Sequence, residues 1–135
     1  MEKKKRMKTS SAKAKGRRLQ NWVAEQVSKI TGIPWGKDEL IQGREMGQSG
    51  TDLKLYGIAK EKFPFSVECK NQESWSVPAW IKQAQANEIK GTDWLLVMTR
   101  NHFPEIICMD AKVFFDLYEQ YLEFIWGKDH KIKNE

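Results

Sequence analysis

The stretch Ser49 to Lys70, SGTDLKLYGIAKEKFPFSVECK, carries an acid, Asp52, and an acid–x–base triplet, Glu68-Cys69-Lys70. Within FPFSVECK, the residues Phe63, Phe65, Val67 and Cys69 alternate with Pro64, Ser66, Glu68 and Lys70. Strand side chains repeat with a period of two, so each set shares one face. The apolar set can pack into a core. Glu68 and Lys70 then stand side by side on the opposite face, about 7 Å apart along the strand. A neighbouring strand carrying Asp52 would bring a second carboxylate beside them. Two carboxylates and an amine on a rigid sheet can hold a divalent cation and a water. An E-x-K tripeptide alone is common. Its weight here comes from the clean alternation, the Ser-Gly turn before Asp52, the amide-bearing helix that follows and a basic N-terminal arm.

Elements must position these residues. The stretch reads as two strands, 52–57 and 63–70, joined by a polar turn. Upstream, Ser10 or Ser11 can cap a helix running to about Ile30, with Leu19, Trp22, Val23, Val27 and Ile30 as its core stripe. Gly32 and then Pro34 end it. Gln20 and Glu25 lie on opposite flanks of that stripe, and either can lean over the sheet. Residues 34–51 form a Gly-rich connection in which Arg44, Gln48 and Ser49 are candidates to hold a phosphate, although an ordinary surface loop is the plainer reading. The polar segment Asn71–Trp75 follows Lys70, and Pro78 suits the start of a helix over about 78–90. That helix carries Trp80, Ile81 and Ala84, while Gln83 and Asn87, four apart, share a face. Strands at 94–99 and 105–109 come next. Asp110 then caps a last helix with Val113, Phe114, Leu117, Tyr121 and Ile125 inward. Phe115, Tyr118, Leu122, Phe124 and Trp126 add more apolar side chains than one inner face needs. The order α-β-β-α-β-β-α, with room for a strand in 35–48, predicts an α/β fold with a mixed β-sheet flanked by helices.

At 135 residues the chain fits one domain, 13–127, between a basic arm at 1–12 and a polar tail at 128–135. No apolar run approaches the ~20 residues of a membrane span. The basic start lacks an apolar segment behind it, so it is not a secretory signal. Cys69 and Cys108 are accordingly expected reduced, in the cytoplasm. The net charge is +5, yet residues 1–18 hold nine Lys/Arg against one acid, so the remainder is net −3. Basicity concentrated in this way suits a polyanion, most simply nucleic acid; the alternative is a solubilising tail or a cloning remnant. Lys13, Lys15, Arg17 and Arg18 are the expected phosphate contacts, which position DNA without reading its sequence. Trp75 and Trp80 can stack on an unpaired base, although Trp80, in an amphipathic helix, better suits the core. With no recognition helix or zinc module, structure-selective cleavage is expected over strict sequence specificity.

Asp52 followed by Glu68-Cys69-Lys70 resembles the site of the PD-(D/E)XK nuclease superfamily, across roughly residues 16–100. The KGRRLQNWV helix and the SGTD turn look most like phage-type nucleases related to Holliday-junction resolvases. The resemblance implies a restriction-endonuclease-like fold and a metal-dependent endodeoxyribonuclease acting in the host cytoplasm, with DNA as partner and no small-molecule cofactor. Asp52, Glu68 and the Cys69 carbonyl would hold Mg²⁺ or Mn²⁺, and Lys70 would orient the attacking water. Gln83 is similar to the glutamine that RecB-like branches place after E-x-K. Asn71 and Ser49 join Arg44 as DNA contacts. The chain departs from the pattern once: where resolvase-like members carry a first-helix Glu, four residues after a glycine, this chain has Gln20, so that role falls to Gln20 or to Glu25. Paired nicks imply a homodimer, to which the apolar last helix can contribute. Two other readings stay open: a homing or restriction-type enzyme cutting duplex DNA, and a non-catalytic nucleic-acid-binding protein.

Overall fold

A computed structural model of the chain describes residues 9–45 and 48–133. Most of the basic arm therefore lies outside the described residues. Helix α1 spans Thr9–Thr31. Its buried row is Lys15, Leu19, Val23 and Val27, spaced at i, i+4, i+8 and i+12, with Ala24 beside it. Trp22 and Ile30, expected in that stripe, are exposed: Trp22 lies on its edge, and Ile30 lies in the last turn of the helix. Gly32 ends the helix at a positive φ of 75°, its N–H bonded back to the Ser28 carbonyl at 2.8 Å. That left-handed conformation is one glycine adopts at little cost.

Strand β1 (Ile41–Gly43) is the additional strand for which the sequence left room, and it pairs antiparallel with β2 (Leu53–Leu55). The expected polar turn after β2 is instead a short helix, α2 (Ile58–Lys62), so β2 and the next strand are not a simple hairpin. Strand β3 (Phe65–Asn71) pairs parallel with β4 (Asp93–Thr99), which pairs antiparallel with β5 (Ile106–Met109). The fold therefore holds a two-stranded antiparallel sheet and a three-stranded mixed sheet, flanked by helices, consistent with the restriction-endonuclease-like expectation. A backbone bond, Asp52 N–H to the Val67 carbonyl at 2.9 Å, ties the end of the smaller sheet to β3.

The larger sheet has two covered faces. Val67, Leu95 and Val97 face α1, together with Leu19, Val23 and Val27. Leu96, Met98 and Trp94 face helix α3 (Val77–Ala86), with its buried Trp80 and Ala84. Burial on both sides explains why β4 reads as a continuous apolar run, WLLVM. The last helix, α4 (Ala111–Trp126), is capped as expected, with Asp110 accepting from the Lys112 N–H at 2.9 Å. Its expected inner face, however, is not inside: no α4 residue is buried, and Phe114, Leu117, Tyr121 and Ile125 are all substantially exposed. Amphipathic spacing specifies a helix and a face but not what covers that face. Among the described residues, no helix is long and apolar enough to cross a membrane.

Candidate functional site

The β1–β2 pairing places Asp52. Beyond the Gly43–Leu53 register pair, the Arg44 N–H donates to the Asp52 carbonyl at 2.8 Å, so Arg44 and Asp52 continue the ladder as cross-strand neighbours. Their side chains meet as well: Arg44 Nη2 lies 2.9 Å from Asp52 Oδ1. The other carboxylate oxygen, Oδ2, accepts the Cys69 N–H at 2.7 Å. Asp52 is 6% exposed and is thus bound to β3 within the E-x-K triplet itself.

Alternation along β3 is as the sequence predicts. Val67 and Cys69 pack towards α1. Glu68 and Lys70 project on the α3 side, where Glu68 Oε1 accepts from Asn87 Nδ2 at 2.7 Å and Lys70 Nζ lies 6.0 Å from the centre of the Trp80 ring. Glu68 is 2% exposed. Burial pushes its carboxyl up to about 7, and the Asp52 charge pushes the same way, while the Asn87 hydrogen bond and Lys70 pull against them. The site therefore concentrates negative charge that the protein compensates only in part. Burial, with the two nearby carboxylates, raises the Cys69 thiol well above its usual range, which keeps it a neutral apolar packer rather than a thiolate ligand.

Two clefts open at this end of the sheet. One, of about 200 Å³, is lined by Lys13, Gly16, Arg17, Gln20, Arg44 and Asp52, among others. The second, of about 500 Å³, is lined by Ala12, Gly16 and residues Cys69 to Glu73, Lys70 included. Gly16 borders both. Gln20 reaches the first cleft from α1 and donates to the Arg44 carbonyl at 3.2 Å. Its approach requires Gly43, because a β-carbon there would collide with the Gln20 amide. Glu25 is exposed, on a part of α1 that lines neither cleft. The structure thus brings Gln20, and not Glu25, beside Asp52.

The other predicted residues divide. Lys13, Arg17 and Arg18 are exposed on α1, and the first two line the Asp52 cleft. Arg18 lines a separate groove with Asn71, Arg100 and Phe103. Ser49 is exposed in the loop before Asp52. Lys15 is corrected: it is 4% exposed and its ammonium is tied to Glu73 Oε1 at 3.0 Å, so it locks α1 to the end of β3 and is not free to meet a phosphate. Its position on the buried row with Leu19, Val23 and Val27 is the physical reason. Asn71 joins the same tie, donating to the Lys15 carbonyl at 2.9 Å. Gln83 is exposed; the α3 amide that reaches the site is Asn87, one turn later on the same face. Trp80 is core, at 7% exposure. Trp75 donates to the Gln72 carbonyl at 2.9 Å and carries the Arg100 guanidinium 5.3 Å from its ring centre.

The oxygen donors gathered at this point are the Asp52 and Glu68 carboxylates and the backbone of the triplet. Among the described residues, no three His, Cys, Asp or Glu side chains cluster as a metal site. A hard ion such as Mg²⁺ nevertheless suits two carboxylates plus a carbonyl, because it keeps several of its own waters. Residues 11–134 match the model of a family described as "Phage putative PDDEXK endonuclease". The chain belongs to this family of phage PD-(D/E)XK endonucleases. No curated protein matches it, and no solved structure does. Asp52, just ahead of β2, and Glu68-Cys69-Lys70 on β3, the residues in which the sequence resembles a PD-(D/E)XK motif, lie side by side in the fold.

Proposed function

We propose that this family member is a divalent-metal-dependent endodeoxyribonuclease that hydrolyses phosphodiester bonds in branched DNA, in the manner of a Holliday-junction resolvase, in the cytoplasm of the host cell. The observation that carries the catalytic part is the meeting of two buried carboxylates, Asp52 and Glu68, with Lys70 on the Glu68 face, beside a cleft rimmed by exposed Lys13 and Arg17. A carboxyl held up to about 7 by burial and by a second acid is a place where a cation relieves charge.

Asp52, Glu68 and the Cys69 carbonyl would hold Mg²⁺ or Mn²⁺. When bound, such an ion supplies Lewis acidity toward the phosphoryl oxygens and makes water a better nucleophile. The chain's own residues do the rest. Lys70 donates to the attacking water or to the phosphate oxygens, orienting the first and offsetting charge that grows on the second. Lys13 and Arg17 hold the flanking phosphates in register with the carboxylates, and Arg18 and Ser49 extend that track. Arg44 already supplies a positive charge at Asp52 Oδ1, so it competes for that oxygen until the site is loaded. Gln20, neutral where related enzymes carry Glu, lowers the site's negative charge, and a weaker metal affinity follows. Branched DNA is favoured because the exposed basic side chains suit phosphates, which carry no sequence information, and the sequence has no recognition-helix signature or zinc module.

The test is cleavage of four labelled DNAs, a four-way junction, a flap, a plain duplex and a single strand, with Mg²⁺ or Mn²⁺ and with Lys70→Ala alongside. Symmetric nicks near the junction centre, absent in the variant, are expected. Cuts at discrete duplex sites would reassign the enzyme to the homing or restriction type. Binding with no Lys70-dependent cleavage on any of the four would leave a nucleic-acid-binding protein.

A further inference from the structure

The largest feature that the site does not use is α4. Going round the helix, Lys112, Asp116, Glu119 and Glu123 follow one another at i, i+4, i+7 and i+11, which places all four on one narrow strip. Glu119 on that strip is paired with Lys131 of the following segment at 2.9 Å. Nearly every other direction is apolar. A helix apolar on so much of its circumference is ordinarily buried, yet no residue of this one is fully buried: Phe114, Phe115, Tyr118, Tyr121, Phe124 and Trp126 are 47, 67, 49, 55, 86 and 73% exposed. The rings are already organised as a surface. Phe114 lies 6.1 Å from Tyr118, and Tyr118 lies 5.7 Å from Tyr121, centre to centre. Rigid aromatics of this kind give contact area at little entropic cost.

We infer that α4 is the interface of a homodimer in which a second copy of this chain lays its own α4 across the first, about a two-fold axis. Area and charge together select this occupant. At 150–250 Å² per aromatic side chain, these exposures leave roughly 750 Å² on the six rings alone. A stable interface takes about 800 Å² from each partner, so two copies of this one helix come close to the whole requirement. A two-fold arrangement also needs no other complementary surface, since the same patch serves both sides. The strip beside the patch holds three acids and one lysine, which repels both a phosphate backbone and an anionic lipid surface. Nucleic acid and membrane are therefore poor occupants. The inference stands on α4 alone and does not depend on the nuclease reading.

The test is the mass of the full chain in solution by light scattering across a dilution series, with and without the paired substitutions Tyr121→Glu and Phe124→Glu. The wild type is expected at twice the 15.8 kDa chain mass, falling towards that mass on dilution. The variant is expected at the single-chain mass with an unchanged circular dichroism spectrum. Hydrogen exchange on the wild type supplies the second readout, which needs no variant: α4 amides should lose protection on dilution while β4 amides keep theirs. A wild type that is monomeric throughout overturns the inference, whether or not it binds vesicles or DNA. So does a dimer that survives in the folded variant, or one whose concentration-dependent protection lies away from α4. If the variant does not fold, the wild-type mass and exchange decide alone. Loss of dimer with cleavage retained on a nicking substrate, or the reverse, separates this result from the catalytic proposal.

Discussion

The two faces of β3 are built from one heptapeptide and follow opposite rules. On the α1 side, Phe65, Val67 and Cys69 meet Leu19, Val23 and Val27 in an apolar layer that stabilises the fold. On the α3 side, Ser66 is bonded to Thr92, Glu68 to Asn87, and Lys70 stands over Trp80. Burying apolar surface stabilises by about 25 cal/mol per Å². Burying a carboxylate beside another carboxylate costs free energy unless something neutralises it. A strand optimised only for stability would not place Glu68 where it is. Neighbouring residues on one strand thus separate into a face that holds the protein together and a face that gives up stability for chemistry.

The sharpest way to break that comparison is to exchange the losses. Lys70→Ala should lower cleavage by about 10³-fold or more, the scale of removing a positioned electrostatic group, while its melting temperature stays close to that of the wild type. Val67→Ala should do the reverse, costing about 2–3 kcal/mol through lost burial and an unfilled space, with cleavage per folded molecule retained. Single-turnover rates on a saturating substrate and urea melts of both variants decide. If Lys70→Ala unfolds the protein, or Val67→Ala abolishes cleavage in the folded state, the faces are not separable.

Glu68→Gln tests the cost directly, and the sign follows from the direction of the shift. The folded-state value, about 7, lies above the ordinary 4.5. The neutral form is therefore the favoured one in the fold. Stability is fully present below about pH 4.5 and is lost as pH rises through 7. In chelator, Glu68→Gln should be more stable than the wild type at pH 8, by on the order of 2 kcal/mol, and equal to it near pH 4. Added Mg²⁺ should restore the wild type and leave the variant unmoved. Thermal melts at pH 4, 6 and 8, with chelator and with Mg²⁺, measure this. A variant less stable than the wild type at pH 8 in chelator would show that the buried charge is not a cost.

Much of this was legible in the sequence, and what was missed has identifiable causes. Alternation with period two is a local property, so the two faces of β3 could be read from FPFSVECK alone. The helices α1 and α4 were legible for the same reason, with a longer period. Helix α2 was not: IAKEK is too short to display a period, and Gly57 ahead of it signals a turn. Strand β1 has three residues and becomes a strand only because β2 lies beside it. Lys15 was misread as a phosphate contact because its partner, Glu73, is 58 residues away. Its row with Leu19, Val23 and Val27 was nevertheless present at four-residue spacing. Gln20 and Glu25 could not be ranked, since the choice depends on Gly43 allowing one of them close. The sharing of a face by Gln83 and Asn87 was readable; which of the two reaches Glu68 depends on where α3 ends.

That last point yields the smallest and most local test. Asn87 follows α3 as its C-cap, with its backbone N–H bonded to the Gln83 carbonyl at 3.0 Å, so the side chain is aimed by the helix terminus. Its amide is the largest influence holding the Glu68 carboxyl down against burial. Hydrogen bonds to charged groups contribute about 1.5–3 kcal/mol when intact, and part of that returns here because a protonated Glu68 no longer requires the donor. Asn87→Ala should therefore cost about 1 kcal/mol or less below pH 5 and more above pH 7, and should raise the Glu68 pKa, so that the loss of stability continues to higher pH. Asn87→Asp should do more, placing a third carboxylate against the first two. Titration of Glu68 by carboxyl carbon NMR in the metal-free protein separates the two effects. An upward shift in Asn87→Ala ties the α3 terminus to the polar face of β3. An unchanged value would mean that burial alone sets Glu68, and that α3 serves that face only as a lid.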